Sequence, residues 1–150
     1  MLRVLAMLFL VAGTALAEPV TVSQLKVIDG DTVDVGADRF RMVGYDTPEI
    51  KTSRRKVGEK ERALAAKATA RFVELLNSGP LDLTEVRCSC SERTIGTKKC
   101  NGGRKCGILT VSGVNVGKTL IAENLAAEFV CRRNSCPRMP DWPGIAGDRH

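Results

Sequence analysis

Four charged side chains near the start of the chain have the types and spacing needed for phosphate chemistry. Asp31 precedes a short β-branched run, Arg41 lies in an alternating segment, and Asp46 and Glu49 follow that segment. Carboxylates at neighbouring strand ends repel each other unless a cation lies between them, and hard cations such as Ca²⁺ prefer oxygen ligands. An arginine between them has the planar fork that binds phosphate. These residue types indicate metal-assisted attack on a phosphodiester.

Histidine is almost absent from the chain. The single histidine is His150, the last residue. No Ser-His-Asp or Cys-His arrangement can therefore be built, and no histidine pair can act as acid and base. If the protein is an enzyme, carboxylates, arginines and a metal must carry the reaction.

Each of these residues also has a purely structural interpretation. Asp29-Gly30-Asp31 is typical of an Asx-type turn between strands. The segment from Asp46 to Glu49 has the composition of a turn or helix cap, and Arg41 could be a solvated strand residue. Only the joint spacing of the four favours a shared site.

The spacing of apolar residues predicts a mainly β protein with helices, of the α+β class. A five-stranded OB-like barrel with two to three surface helices accommodates the order of three strands, helix, two strands, helix. In the longer helix, Leu64, Ala68, Phe72 and Leu75 form one apolar stripe. The predicted strands are Thr21–Val27, Thr32–Val35, Arg39–Val43, Leu81–Arg87 and Gly107–Val111, and the predicted helices are Glu59–Asn77 and Asn115–Leu125.

The first 17 residues have the pattern of an export signal. Arg3 precedes a short apolar run, and Ala15-Leu16-Ala17 resembles a cleavage site. The run is short for a membrane span, so we expect cleavage rather than an anchor and a periplasmic or extracellular protein without a membrane span. The domain is predicted over residues 18–130, with an irregular tail over 131–150. The net charge of +6 favours a polyanionic partner, although it also aids solubility.

All six cysteines lie in the second half of the chain. An even count in an exported protein favours disulfides over zinc, since the spacings are not those of a zinc ribbon. Six cysteines permit many pairings, which the sequence does not decide. We hypothesise a nested pairing in the hairpin and a local pair in the tail. The candidates are Cys88 with Cys106, Cys90 with Cys100, and Cys131 with Cys136.

Three short motifs resemble the signature of the staphylococcal nuclease family. They are Ile28-Asp-Gly-Asp-Thr-Val33, Phe40-Arg41 and Asp46-Thr-Pro-Glu49. Gly103-Arg104 resembles the place of that family's second active-site arginine. The resemblance covers residues 20–127 and is strongest over 27–49.

The resemblance implies a single Ca²⁺ ion and a hydrolase of DNA, RNA or both. Asp31, Asp46 and the backbone carbonyl of Thr47 would coordinate the ion, with Asp29 behind them. Glu49 would orient or deprotonate the attacking water. Arg41 and Arg104 would hold the phosphate, and the products would carry 3′-phosphate ends.

The chain departs from the family where the nucleotide binds. Asn101-Gly102-Gly103 replaces a tyrosine and a nearby lysine, and tyrosines are missing near Val130. The cysteine loop is expected to replace that wall. Lys51, Arg54, Arg55 and Lys56 are candidates for tracking a nucleic-acid backbone, or for a solvated loop. We expect a monomer.

Two other functions remain open from the sequence. A catalytically weak or inactive OB-fold module of the cell envelope could bind nucleic acid or another polyanion without cleaving it. A disulfide-stapled envelope protein could have a purely structural role, which the acidic and basic constellation argues against.

Overall fold

The computed structural model describes residues 18–53, 55–132 and 135–142. The predicted export signal over residues 1–17, Arg54 and the end of the predicted tail from residue 143 onward lie outside the described residues.

Nine short strands and two α-helices make up the described part of the chain. The helices are α1 (Glu59–Leu76) and α2 (Val116–Ala122), and 3-10 turns lie at Val22–Gln24 and Asn101–Gly103. The strands are β1 (Glu18–Val20), β2 (Leu25–Val27), β3 (Thr32–Val35), β4 (Asp38–Met42), β5 (Gly44–Asp46), β6 (Leu81–Val86), β7 (Lys105–Val111), β8 (Val114–Asn115) and β9 (Ala127–Phe129).

Seven of the strands form one curled half-barrel sheet. Its order is β1-β6-β7-β4-β3-β2, with β8 paired to β7, while β5 and β9 form a separate antiparallel pair. All neighbours in the large sheet are antiparallel except β4 and β7. The predicted α+β class is therefore confirmed. The predicted five strands and the closure of the barrel are not confirmed. Within the described residues, β1 and β2 are the two edge strands of the sheet and do not pair with each other.

The extra strands arise from short segments that carry no alternation of their own. The predicted strand Thr21–Val27 is broken by the turn at Val22–Gln24, where the Thr21 N–H donates to Gln24 Oε1 at 2.8 Å. β5 and β9 have three residues each and β8 has two. Such segments become strands only because a partner supplies hydrogen bonds, so periodicity alone does not reveal them.

Alternation along β3 and β4 separates the core from the site. Val33, Phe40 and Met42 are buried in the hydrophobic core. Side chains of a strand point alternately to opposite faces, so Arg41 lies on the face away from this core. Its neighbour across the ladder is Thr32.

Helix α1 covers the core with its apolar face. Ala65, Ala68, Phe72 and Leu76 are buried, whereas two members of the predicted stripe, Leu64 and Leu75, are half-buried. The helix begins after Gly58 with Glu59 and Glu61 in its first turn, which suits the positive end of the helix dipole.

Helix α2 fixes the position of Tyr45. An added Cβ on Gly117 would lie 2.1 Å from Tyr45 Cδ1, so the helix can approach the ring only because residue 117 has no side chain. The buried Tyr45 hydroxyl donates to the Gly30 carbonyl at 3.2 Å. This contact links α2 and β5 to the turn that precedes β3.

Three cysteine pairs join the segments that the sequence predicts as loop and tail. They are Cys88–Cys106, Cys90–Cys100 and Cys131–Cys136, which is the hypothesised pairing. These pairs fit an oxidising setting such as the periplasm or the cell exterior. Within the described ranges, no helix has the length and apolarity to cross a bilayer.

Candidate functional site

Asp31 lies in a tight turn between β2 and β3. Its N–H donates to Asp29 Oδ1 at 3.1 Å, so the Asx-type turn predicted from the sequence is present. Its carbonyl accepts the Met42 N–H at 2.7 Å, which ties the turn to the end of β4. Gly30 is required here, since a Cβ would lie 2.8 Å from Thr47 Cγ2. The turn is thus fixed against β4 and the segment after β5.

Arg41 joins the two predicted metal-binding carboxylates. Its Nη1 donates to Asp31 Oδ1 at 3.0 Å and its Nη2 donates to Asp46 Oδ1. Both carboxylates are almost fully buried. Burial of Arg41 lowers its pKa, but the two neighbouring carboxylates raise it, and the net result is a raised pKa. The structure therefore brings together three of the residues singled out from the sequence.

The carboxylate of Asp31 is saturated with donors. Oδ1 also accepts the Thr32 hydroxyl at 3.0 Å, and Oδ2 accepts both the N–H and the hydroxyl of Thr47 at 3.1 Å. Burial nevertheless raises the pKa of Asp31 to about 7, against the opposing effect of Arg41. Asp31 is therefore held rigidly in a site that strongly favours a compensating positive charge.

The carboxylate of Asp46 is less well satisfied. Its Oδ2 is buried and has no hydrogen-bond partner in the described part of the chain. Burial raises the pKa of Asp46, and Arg41 opposes this rise. A buried acceptor without a partner is costly, and a cation beside it would remove that cost.

A divalent cation fits this pair only with help from other oxygens. Over residues 18–53, 55–132 and 135–142, no group of three or more His, Cys, Asp or Glu side chains could hold a metal. Ca²⁺ takes six to eight oxygens, roughly, and carbonyls and water commonly complete its shell. Asp31 and Asp46 would supply the charge, and the buried Thr47 lies directly after Asp46.

Glu49 lies at the edge of the same site. It is half-buried, and its pKa is raised by burial and by the neighbouring Asp46. Its N–H donates to Glu61 Oε1 at 3.2 Å, so the first turn of α1 holds the backbone of Glu49.

Arg104 approaches from the loop that precedes β7. Its Nε donates to the Asn101 carbonyl at 2.8 Å and its Nη2 to Asn101 Oδ1 at 3.0 Å, while Nη1 is 3.5 Å from Thr32 Oγ1. Burial and the nearby Arg41 lower its pKa. None of its hydrogen-bond partners among the described residues is a carboxylate, so its charge is available to an anionic ligand.

Two positioning residues were missed by the sequence reasoning. Asn101 orients Arg104, and Glu61 holds Glu49 while accepting two hydrogen bonds from Arg55 at 2.6 and 2.7 Å. Glu61 could have been found from its place four residues before the buried Ala65, because an acid on the buried face of a helix needs a partner. No sequence signal points to Asn101, whose φ of 52° is known only from the structure.

The predicted nucleic-acid-binding segment is placed only in part. Arg54 lies outside the described residues, while Lys51 and Lys56 are exposed. Arg55 forms an ion pair with the buried Glu61, so its guanidinium is engaged in that contact although it is exposed. The role of Lys51 and Lys56 stays a prediction.

The site opens into a large cavity. This cavity has a volume of about 850 Å³ and is lined by Asp29, Arg41, Asp46, Glu49 and Arg104 together with the cysteine loop and the residues after β9. Three of the four charged residues first singled out thus line one cavity, and the fourth, Asp31, accepts a hydrogen bond from Arg41.

No protein-family model matches the chain, and no curated protein matches it. The function has therefore to be inferred from the side chains gathered at the cavity and from the motifs between Val27 and Glu49.

Proposed function

We propose that this protein is an exported, Ca²⁺-dependent phosphodiesterase of the staphylococcal nuclease type, built on an OB-like barrel. Its substrate is DNA, RNA or both, and its products carry 3′-phosphate ends. The observation that carries the proposal is the meeting of Asp31 and Asp46 on the guanidinium of Arg41, beside Arg104 and Glu49, at one cavity.

The two arginines suit a phosphate that gains negative charge during reaction. Arg104 is held by Asn101 and is not bonded to a carboxylate among the described residues, while Arg41 is held in the acid cluster. Preorganised positive charge at a developing phosphorane is a large catalytic effect, and losing one such contact costs about 10² to 10³ in rate.

The carboxylates suit the metal and the water. Bound Ca²⁺ would polarise a phosphoryl oxygen and lower the pKa of its water. Asp46 would hold the ion through its orphan Oδ2. Asp31 would join it by exchanging one of the hydrogen bonds that its carboxylate now accepts. Glu49, whose pKa is raised by burial, would accept a proton from the attacking water at its carboxylate.

The test is digestion of DNA and RNA by the purified protein with Ca²⁺ or with chelator, followed by end-group analysis. We expect cleavage with Ca²⁺ only and 3′-phosphate products. Arg41→Lys and Arg104→Lys each lower kcat/KM by about 10² or more, because lysine lacks the bidentate fork. Arg39→Lys is the matched control, since Arg39 lies on the same strand but pairs with Asp34.

The alternative is a module that binds polyanions without cleaving them, and the cationic lining of the cavity is compatible with it. Salt-dependent binding of nucleic acid by a preparation that shows no turnover with Ca²⁺ supports this alternative. Turnover that is equal in the wild type and in Arg41→Lys contradicts the proposed site.

A further inference from the structure

The cavity extends well beyond the acid and arginine cluster. One wall is the cysteine loop between β6 and β7, which contributes Lys98 and Lys99 to the lining. Both lysines are exposed, and no ion pair joins either of them to an acidic side chain among the described residues. The wall is therefore positively charged and free to meet an anion.

This cationic wall is held in place rather than loosely tethered. Cys88–Cys106 closes the base of the loop onto β7, and Cys90–Cys100 crosses it further out. The aliphatic part of Lys98 lies close to Gly103, the residue before Arg104, since a Cβ added to Gly103 would lie 3.7 Å from Lys98 Cγ. The two lysines thus continue the positive charge of Arg104 along one side of the cavity.

A second wall of the cavity is apolar. It consists of the end of β9 and the segment after it, including Phe129, Val130 and Met139. Val130 and Met139 are 41% exposed, which is high for large apolar side chains. Cys131–Cys136 and the bridge between Arg132 and Ser135 tie this segment back on itself.

A cavity lined by one cationic and one apolar wall matches the two chemical sides of a single nucleic-acid strand. Phosphates bind lysines by displacing condensed counterions, and bases pack their faces on apolar side chains. A duplex hides its base faces, so it does not use the second wall. A mononucleotide offers a single base and a single phosphate group, fewer than the side chains that line the two walls.

We propose that the cysteine loop and the segment after β9 form an extended subsite for single-stranded nucleic acid, with Lys98 and Lys99 on the phosphates and Val130 and Met139 on the bases. This inference rests on the proposed function for its substrate class. It adds the prediction that strand length and single-strandedness determine affinity.

The test measures binding in chelator, where no cleavage is needed. The probe is a labelled deoxythymidine strand of about 12 nucleotides, within the range that OB folds cover, compared with a dinucleotide, an abasic strand and a duplex of equal length. The charge variant is Lys98→Ala with Lys99→Ala. Its matched control is Lys67→Ala with Lys118→Ala, two exposed lysines that do not line the cavity.

We expect the charge variant to bind the strand about tenfold more weakly and to lose about 1.4 from the slope of log affinity against log salt, the value for two phosphate contacts. The control pair stays within about twofold of the wild type. Met139→Ala weakens binding of the strand but not of the abasic strand, and leaves the salt slope unchanged.

Equal losses in the charge variant and its control, or equal affinity for strand and duplex, overturn the subsite. Cleavage by the wild type with no selective loss in the charge variant overturns this inference alone. Selective loss without any cleavage overturns the proposed function and leaves the subsite standing.

Discussion

At the scale of single residues, the buried carboxylate of Asp46 decides whether the acid cluster holds a cation. One of its oxygens accepts a hydrogen bond from Arg41, and the other has no partner among the described residues. An unpaired buried acceptor is tolerated when a ligand satisfies it, and functional sites are where such groups are found.

Replacing Asp46 tests the metal without relying on activity. Ca²⁺ raises the Tm of the wild type, and at 100 times Kd the added stability is about 2.7 kcal/mol. In Asp46→Asn this rise is lost, because the amide oxygen carries no charge. Calorimetry with and without Ca²⁺ measures this rise in Tm. The control is Asp34→Asn, which removes an acid that pairs with Arg39 instead of lying in the cluster, and this variant keeps the rise. A Ca²⁺-dependent rise in Asp46→Asn equal to that of the wild type contradicts the assignment.

Asn101 acts through Arg104. Asn101→Gly keeps the positive φ of 52° and removes the side-chain acceptor, so kcat falls about tenfold while KM changes little. Asn101→Asp retains an oxygen acceptor but places a carboxylate on Arg104, so it does not restore kcat. Steady-state kinetics on one oligonucleotide separates the two parameters, and a change confined to KM would show that Asn101 serves binding instead.

At the scale of elements, the first turn of α1 fixes the segment that follows β5. Glu61 accepts the Glu49 N–H and two hydrogen bonds from Arg55, and Arg62 Nη1 donates to the Val57 carbonyl at 2.6 Å. The helix therefore holds both ends of the segment that carries Glu49. A helix anchored by its packed apolar face is a rigid support for a loop residue.

Glu61→Gln lowers the free energy of unfolding by about 1 kcal/mol at neutral pH, a modest value because Arg55 is partly exposed. The hydrogen bonds from Arg55 lower the pKa of Glu61 below its ordinary 4.5, so this stabilisation is complete above that pH and is lost as the pH falls through the lowered pKa. Urea unfolding at a series of pH values checks it. The control is Glu59→Gln, which replaces an exposed acid in the same turn. If the difference in unfolding free energy between the wild type and Glu61→Gln grew as the pH fell, the predicted pH dependence would be wrong.

At the scale of the whole molecule, the cysteine pairs compensate for short strands and long irregular segments. A chain of this size buries a limited core, and cross-links stabilise it by restricting the unfolded state. Two of the pairs enclose the cysteine loop, and the third closes the segment after β9. Both walls of the cavity therefore depend on an oxidising environment.

Removing Cys90–Cys100 by a double serine substitution lowers the unfolding free energy by about 2 to 3 kcal/mol, because the pair closes a loop with a separation of 10 residues. Binding of a single strand weakens together with stability. The Cys131–Cys136 pair closes a shorter loop, so its double serine variant loses less stability. Chemical denaturation measures both variants, and a reversed order of losses would show that the tail pair is the more important cross-link.

The amino-acid sequence by itself determined the long elements and the identity of the charged residues. Periodicity is strong over α1, β3, β4, β6 and β7, and the predicted bounds of these elements agree with the structure to within two residues. The cysteine pairing was a hypothesis that the sequence left open, and the structure has the hypothesised pairs. The α+β class follows from these elements, since their hydrophobic patterns are local properties of the chain.

Only the tertiary structure decided which of these residues meet. Arg41 joins Asp31 to Asp46 in β5, Glu61 of α1 supports Glu49, and Asn101 orients Arg104 from the turn at Asn101–Gly103. β5 and that turn are too short to have a pattern of their own. They form because distant strands and helices supply their hydrogen bonds and packing, which is information that no local stretch of sequence contains.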